Sequence, residues 1–323
     1  LLILAGAGSG KTRVLTHRIA YLIREKGVAP ENILALTFTN KAAGEMKDRL
    51  AQMVGFISSQ MWVSTFHSSC VRILRRDAGI LGYKGSFSIY DSSDQRNLIQ
   101  AILKEMNLDD RKHPVRAIQE NISRAKNQLY TPEMFDREAS GYFDSKVAEI
   151  YYRYQESLKA NNAMDFDDLI MQAVILLSSS PDILGFYQNK FRYVLVDEYQ
   201  DTNHAQYMFV RLLTETHRNL CVVGDDDQSI YGWRGADISN ILDFEKDYPE
   251  AKVVKLEQNY RSTQNILLAA NEVIKHNRGR KNKSLWTENN QGDKVTIYMA
   301  PSEKAEADFI AGEIRKIQSS EKR

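Results

Sequence analysis

Only two cysteines occur in 323 residues, and Cys70 and Cys221 stand far apart among apolar neighbours. That pattern suits buried, reduced thiols in a cytoplasmic protein, and the lack of a Cys-x-x-Cys pair argues against a structural zinc site. Long apolar runs are lacking too. Residues 170–177 form one of the longest, far short of the roughly 20 residues a bilayer span needs, so no membrane partner is expected. The four apolar residues that open the chain are too few for a signal-peptide core of about 7–15. Nor is there an excess of charge. Lys and Arg number 43 against 42 Asp and Glu, a net charge of +1, so any polyanion must be met by a local patch rather than an overall basic field. Internal repeats and low-complexity stretches are absent. What is present is an ordinary globular composition, 43% hydrophobic and 26% charged, which excludes a disordered or collagenous chain. The length suits two to three domains at roughly 100–200 residues each. The chain opens inside an apolar run and stops in polar residues after a helical pattern over 303–317, so it is expected to be a fragment.

Short apolar strands alternate with helical patterns at the start: strands at 1–4, 33–38 and 61–63, helices over 10–25 and 42–50. Such alternation predicts a parallel sheet flanked by helices. From about residue 92 to 178 the period becomes helical throughout, opening on Ser92 and Gln95 at capping-box spacing, with no strand to interrupt it. Strands resume at 193–196 and 220–223. A further alternation begins at 253–256, followed by a helix over 264–276, a basic loop over 277–283 and an expected strand over 294–299. The reading is an α/β domain in two parts, 1–90 and 179–255, interrupted by an all-helical insertion over 91–178. The start of a second α/β domain follows over 256–323.

Ala5-Gly6-Ala7-Gly8-Ser9-Gly10-Lys11-Thr12 sits between an apolar strand and a helix. In that context the glycines let successive backbone N–H groups wrap a phosphate, and the following helix N-terminus adds its dipole. Lys11 supplies charge for β- and γ-phosphates, and Thr12 a hydroxyl for Mg²⁺. The first position of the G-x-x-x-x-G-K-[ST] pattern is Ala5, a small departure. A dinucleotide-binding G-x-G-x-x-G fingerprint fails, because its third glycine would fall on Lys11.

Such a site also needs carboxylates. The run Tyr193-Val194-Leu195-Val196-Asp197-Glu198 delivers two at the carboxyl end of an apolar strand, where open α/β sheets bind ligands. Adjacent strand side chains point apart, so the two are expected to do different work. Asp197 would hold Mg²⁺ through its water shell, and Glu198 would orient or deprotonate the attacking water. The helical insertion accounts for the long separation between Lys11 and this pair.

Six stretches in this order extend the pattern across the chain: 5–12, Thr37-Phe38-Thr39-Asn40-Lys41-Ala42-Ala43, Ser64-Thr65-Phe66-His67, 196–201, 223–236 and Gln258-Asn259-Tyr260-Arg261-Ser262-Thr263. Together they resemble the motifs of the UvrD/PcrA/Rep group of superfamily 1 DNA helicases. The resemblance implies two RecA-like lobes of the P-loop NTPase class and Mg²⁺-ATP as cofactor. It implies 3′→5′ movement on single-stranded DNA with unwinding of duplexes at single/double-strand junctions, in repair or replication. It assigns γ-phosphate sensing to Gln228, an arginine finger to Arg261, and an adenine sandwich to Tyr260 and the stem of Arg13. Trp233, Tyr231 and Phe38 would stack on bases, with Thr39, Asn40, Thr65, His67 and Arg234 as backbone-contacting or coupling residues. A monomer, meeting repair or replication-initiation proteins, is expected. The family's adenine-reading glutamine and the later second-lobe motifs fall outside this sequence, so little hydrolysis is expected of these residues alone. The alternatives are the helicase portion of a helicase–nuclease and a nucleotide-gated DNA-binding module.

Several of these residues also have plainer readings. Trp233 and Tyr231 taken alone would serve packing. Asp225-Asp226-Asp227 alone would be a turn or a weak metal site, and His67 a satisfied helix-start residue. Asp165, Asp167 and Asp168 fit the first turn of a helix better than a metal cluster. The basic loop is either a solvated surface or a contact to phosphate.

Overall fold

The computed structural model describes residues 1–277 and 279–320; Arg278, the Arg234 side chain and residues 321–323 lie outside the described residues. Six strands form one parallel sheet in the order β3-β2-β6-β7-β1-β8: β1 Leu2–Ala5, β2 Ile33–Thr37, β3 Trp62–Thr65, β6 Tyr193–Val196, β7 Leu220–Gly224 and β8 Val253–Leu256. The central strands are apolar on both faces, as a sheet covered on both sides requires. Their alternation sorts the two cores. Leu2, Leu4, Leu34, Leu36, Val194, Val196 and Val222 face one side. There they pack under α3 Phe66–Asp77, α8 Phe166–Ser179, α9 Pro181–Lys190 and α10 His204–Thr214. Ile3, Ala5, Ile33, Ala35, Leu195, Cys221 and Val223 face α1 Lys11–Arg24 and α2 Asn40–Val54 on the other. Every loop that leaves a carboxyl end of this sheet therefore opens on one rim.

The segment between β3 and β6 carries α4 Ser92–Glu105, α5 Val115–Asn127, α6 Pro132–Glu138 and α7 Gly141–Ala160. Ile99, Ile118, Ile122, Val147, Ile150, Tyr151 and Tyr154 give it a hydrophobic cluster of its own. It is not free of strands. β4 Ser88–Tyr90 and β5 Ala163–Asp165 pair in parallel where the segment leaves and rejoins the sheet domain; three residues are too few to imprint an alternation on the sequence. The cap of α4 also differs from expectation. Asp91, not Ser92, accepts from the backbone of Ser93 and Asp94, while Asp94 returns a bond to the Asp91 N–H. A carboxylate is the better acceptor, so the box forms one residue earlier.

After β7 come the single turns α11 Ser239–Leu242 and α12 Phe244–Asp247, then β8, α13 Gln264–Ile274 and α14 Glu303–Ser320. The expected strand over 294–299 is not one. No ladder partner meets it among the described residues, and Val295, Ile297 and Met299 lie exposed.

Candidate nucleotide site

Gly8 (φ 71°) and Gly10 (φ 94°) adopt left-handed backbone, which lets the loop after β1 curl before α1 begins at Lys11. Ser9 closes the curl, its N–H and hydroxyl both donating to the Gly6 carbonyl at 3.2 and 2.7 Å. Gly10 caps α1 without a side-chain acceptor, so the first-turn N–H groups keep the partner-seeking geometry that favours an anion.

The acid pair stands directly opposite. Thr12 Oγ1 donates to Asp197 Oδ2 at 3.4 Å, and Lys11 Nζ lies 3.3 Å from Glu198 Oε2. Glu198 is held at φ 49°, an uncommon conformation for a residue with a Cβ, and its N–H donates back to Asp197 Oδ1 at 3.0 Å. The two side chains differ in exposure, Asp197 buried and Glu198 39% exposed, but not by strand alternation: both lie past the end of β6, and Glu198 has left-handed backbone. Burial, with Glu198 adding repulsion, pushes the Asp197 carboxyl up to about 6, against the pull of the Glu198 N–H, Lys11 and Thr12. A buried carboxylate short of positive charge, beside a hydroxyl oxygen, fits a hard divalent cation.

Asp225-Asp226-Asp227 also bring carboxylate oxygens within 4.8 Å of one another. A side-chain cation already fills that cluster. Lys283 Nζ lies 2.8 Å from Asp225 and 2.7 Å from Asp227 and pairs with Asp226 as well. Arg280 grips Asp227 with two nitrogens, at 2.9 and 2.6 Å. Both the weak-metal reading and the solvated reading of the basic loop give way to an ion-pair network, because burial beside three acids favours an ammonium that neutralises them.

The remaining predicted residues gather unevenly. Arg261 and Tyr260 stand on the glycine loop: the Tyr260 N–H donates to the Gly8 carbonyl at 3.0 Å, and a Cβ added at Gly8 would meet the Arg261 Cβ at 2.8 Å. Tyr260 and Arg13 are both exposed beside that loop. Gln228 is half-buried and donates to Asp225. Trp233, 74% exposed, and Tyr231 offer two rings with centroids 6.4 Å apart on the rim. Phe38 is half-buried and packs on Phe66 in a T-shaped contact with centroids 5.6 Å apart. Thr39 and Thr65 spend their hydroxyls capping α2 and α3, and Asn40 is exposed in the first turn of α2. His67 is half-buried in a T-shaped contact with Phe166 in the first turn of α3, its pKa lowered by burial. The Arg234 side chain lies outside the described residues.

Two side chains that sequence reasoning passed over complete the geometry. Gln200 is buried, donates to Glu198 at 3.0 Å and accepts from the Asp225 N–H at 2.9 Å, joining the acid pair to the Gln228 loop. Asn259 donates to the Ala7 carbonyl at 2.6 Å and accepts from the Arg261 and Ser262 N–H groups, fixing the arginine's segment to the glycine loop. Both lie inside quoted motifs, which was their only signal.

Residues 1–249 match the family described as UvrD/REP helicase N-terminal domain, and 254–323 the UvrD-like helicase C-terminal domain. The chain belongs to the UvrD/REP helicase family. It is 59% identical over all 323 residues to ATP-dependent DNA helicase PcrA of Bacillus subtilis (strain 168). Against the proteins of that name in Staphylococcus epidermidis and Staphylococcus aureus the identity is 58% and 57%. The chain spans 44% of the length of each of these helicases.

Proposed function

We propose that the protein to which this chain belongs is an ATP-dependent DNA helicase that translocates 3′→5′ on single-stranded DNA, with Mg²⁺-ATP as fuel, and that this chain is its nucleotide-binding portion. The observation that carries the reading is the convergence of Lys11 with Glu198 and of Thr12 with Asp197 on one rim, at 3.3 and 3.4 Å. In this reading Thr12 and Asp197 hold the cation, which supplies charge neutralisation at the phosphates. Lys11 leaves Glu198 to meet phosphate oxygens. The freed Glu198 carboxylate, in its strained backbone, orients the attacking water and accepts its proton. Arg261 and Gln228 converge from neighbouring segments on the charge that develops. Residues 1–90 and 179–255 form the first lobe, 91–178 the insertion and 256–323 the start of the second. Trp233 and Tyr231 give single-stranded bases a stacking surface indifferent to sequence.

The test uses the full-length protein. ATP hydrolysis should rise with single-stranded DNA, collapse in Lys11→Ala, and collapse in Glu198→Gln with nucleotide binding kept. Turnover indifferent to DNA, or variants as active as wild type, would remove the motor reading.

A further inference from the structure

One short segment touches the glycine loop, the residues leading into Arg261 and the acid triple beside Gln228. Residues 283–286 are zipped onto 257–259: the Trp286 N–H donates to the Glu257 carbonyl at 3.0 Å, and the Asn259 N–H to the Trp286 carbonyl at 2.7 Å. That pairing ties the segment to the residues leading into Arg261. Leu285 stands over the glycine loop so closely that a Cβ on Gly6 would run into it. Lys283, whose side chain is 3% exposed, reaches Asp225, Asp226 and Asp227. Burial works against its ammonium, but hydrogen bonds to the three acids outweigh it and raise its pKa.

Asp225 divides its two oxygens. Oδ1 meets Lys283 and the Asp227 N–H; Oδ2 accepts from the Gln228 side chain. A carboxylate held on one side by a buried cation has little freedom to swing on the other, so the amide it orients inherits that rigidity. We propose that Lys283 is a positioning residue that acts through Asp225 to aim Gln228, linking the segment that carries Arg261 to the γ-phosphate side of the site. The inference rests on the helicase reading, which gives Gln228 its task.

Four full-length proteins test it: Lys283→Met, Lys283→Arg, Gln228→Ala and the double variant Lys283→Met/Gln228→Ala, each assayed for kcat and KM of DNA-stimulated ATP hydrolysis. Loss of the hydrogen-bond partner behind a metal ligand typically costs about 10–100-fold, and the lower end of that range is the expectation for the partner behind a phosphate-facing amide. Lys283→Met should therefore lower kcat roughly tenfold with KM for ATP changed by less than about threefold. Lys283→Arg, which keeps the charge, should recover part of the loss. In the Gln228→Ala background the Lys283 change should cost nothing further, because the residue it aims is gone. Should Lys283→Met fail to fold, Asp225→Asn must show the same kcat-specific loss and the same silence beside Gln228→Ala. Losses that multiply, or a Lys283→Met enzyme equal to wild type, overturn the inference and leave the helicase reading standing. A wild-type protein without DNA-stimulated turnover would overturn both.

Discussion

Two of the lysine–carboxylate pairings, one at the rim of the sheet and one in a buried cluster, contrast in their exposure to solvent. At the nucleotide site the Lys11 side chain is 11% exposed and touches Glu198 at 3.3 Å, at the edge of a rim open to solvent. Within the segment between β3 and β6, Lys126 on α5 is fully buried, 2.7 Å from Asp165 and 2.9 Å from Asp168, with Tyr154 donating to Asp165 at 2.9 Å. Burial opposes the Lys126 ammonium, but the two acids overcome it and hold it charged. Asp165 and Asp168 also cap α8 reciprocally. Each carboxylate oxygen of Asp165 and Asp168 has a donor or the Lys126 ammonium against it, and the cluster is buried, so removing one partner would strand buried charge. On the proposed reading the rim pair parts when phosphate arrives, so similar chemistry would serve as a scaffold where it is sealed and as a working site where it is left ajar.

That contrast can be broken in four ways. The largest effect is expected from Lys126→Met, which strands two buried carboxylates. Urea unfolding of the full-length protein should lose about 3–5 kcal/mol, with ATP affinity of the folded fraction unchanged. Lys11→Ala should do the reverse: kcat falls on the order of 10²–10³-fold while the unfolding midpoint stays put. A Lys126 variant that loses activity without losing stability would end the distinction.

The third prediction concerns pH. Burial, with the neighbouring Asp165 charge adding to it and Lys126 opposing it, pushes the Asp168 carboxyl up to about 6. An unfolded aspartate titrates near its usual value of about 4. Between those values the folded chain holds a proton the unfolded chain lacks, so this contribution to stability falls as pH rises, by about 1.4 kcal/mol per unit. Wild type should therefore gain on Asp168→Asn as pH drops from about 6 to 4, read from paired unfolding curves. A gap that shrinks on acidification would show that Asp168 stays ionised. The smallest effect is expected outside both clusters. Trp233→Ala should weaken single-stranded DNA binding by about 1–3 kcal/mol, irrespective of base sequence, measured by fluorescence anisotropy, with DNA-free hydrolysis intact.

Legibility followed distance along the chain. The glycine loop and Asp197-Glu198 were each readable because a strand end, a turn and the first residues of a helix sit within a few positions, whereas their meeting across 185 positions is a matter of the fold. The cap of α4 was misplaced by one residue because Asp91 and Ser92 satisfy nearly the same spacing, and only the backbone decides which carries it. The β4–β5 pair left no periodic trace. The basic loop was misjudged for a different reason: Arg280 and Lys283 meet acids more than fifty positions away, and composition cannot say whether a cation faces water or a buried carboxylate.

By itself, then, the order of residues determined the strand-and-helix alternation, the glycine turn and the acids at the end of an apolar strand, since each depends on neighbours in the chain. Tertiary structure alone decided that Gln200 bridges two loops, that Asn259 ties Arg261 to the glycine turn, and that Lys283 rather than a metal occupies the acid triple. Those choices turn on desolvation and on which charges packing forces together, and neither quantity exists until the chain has folded.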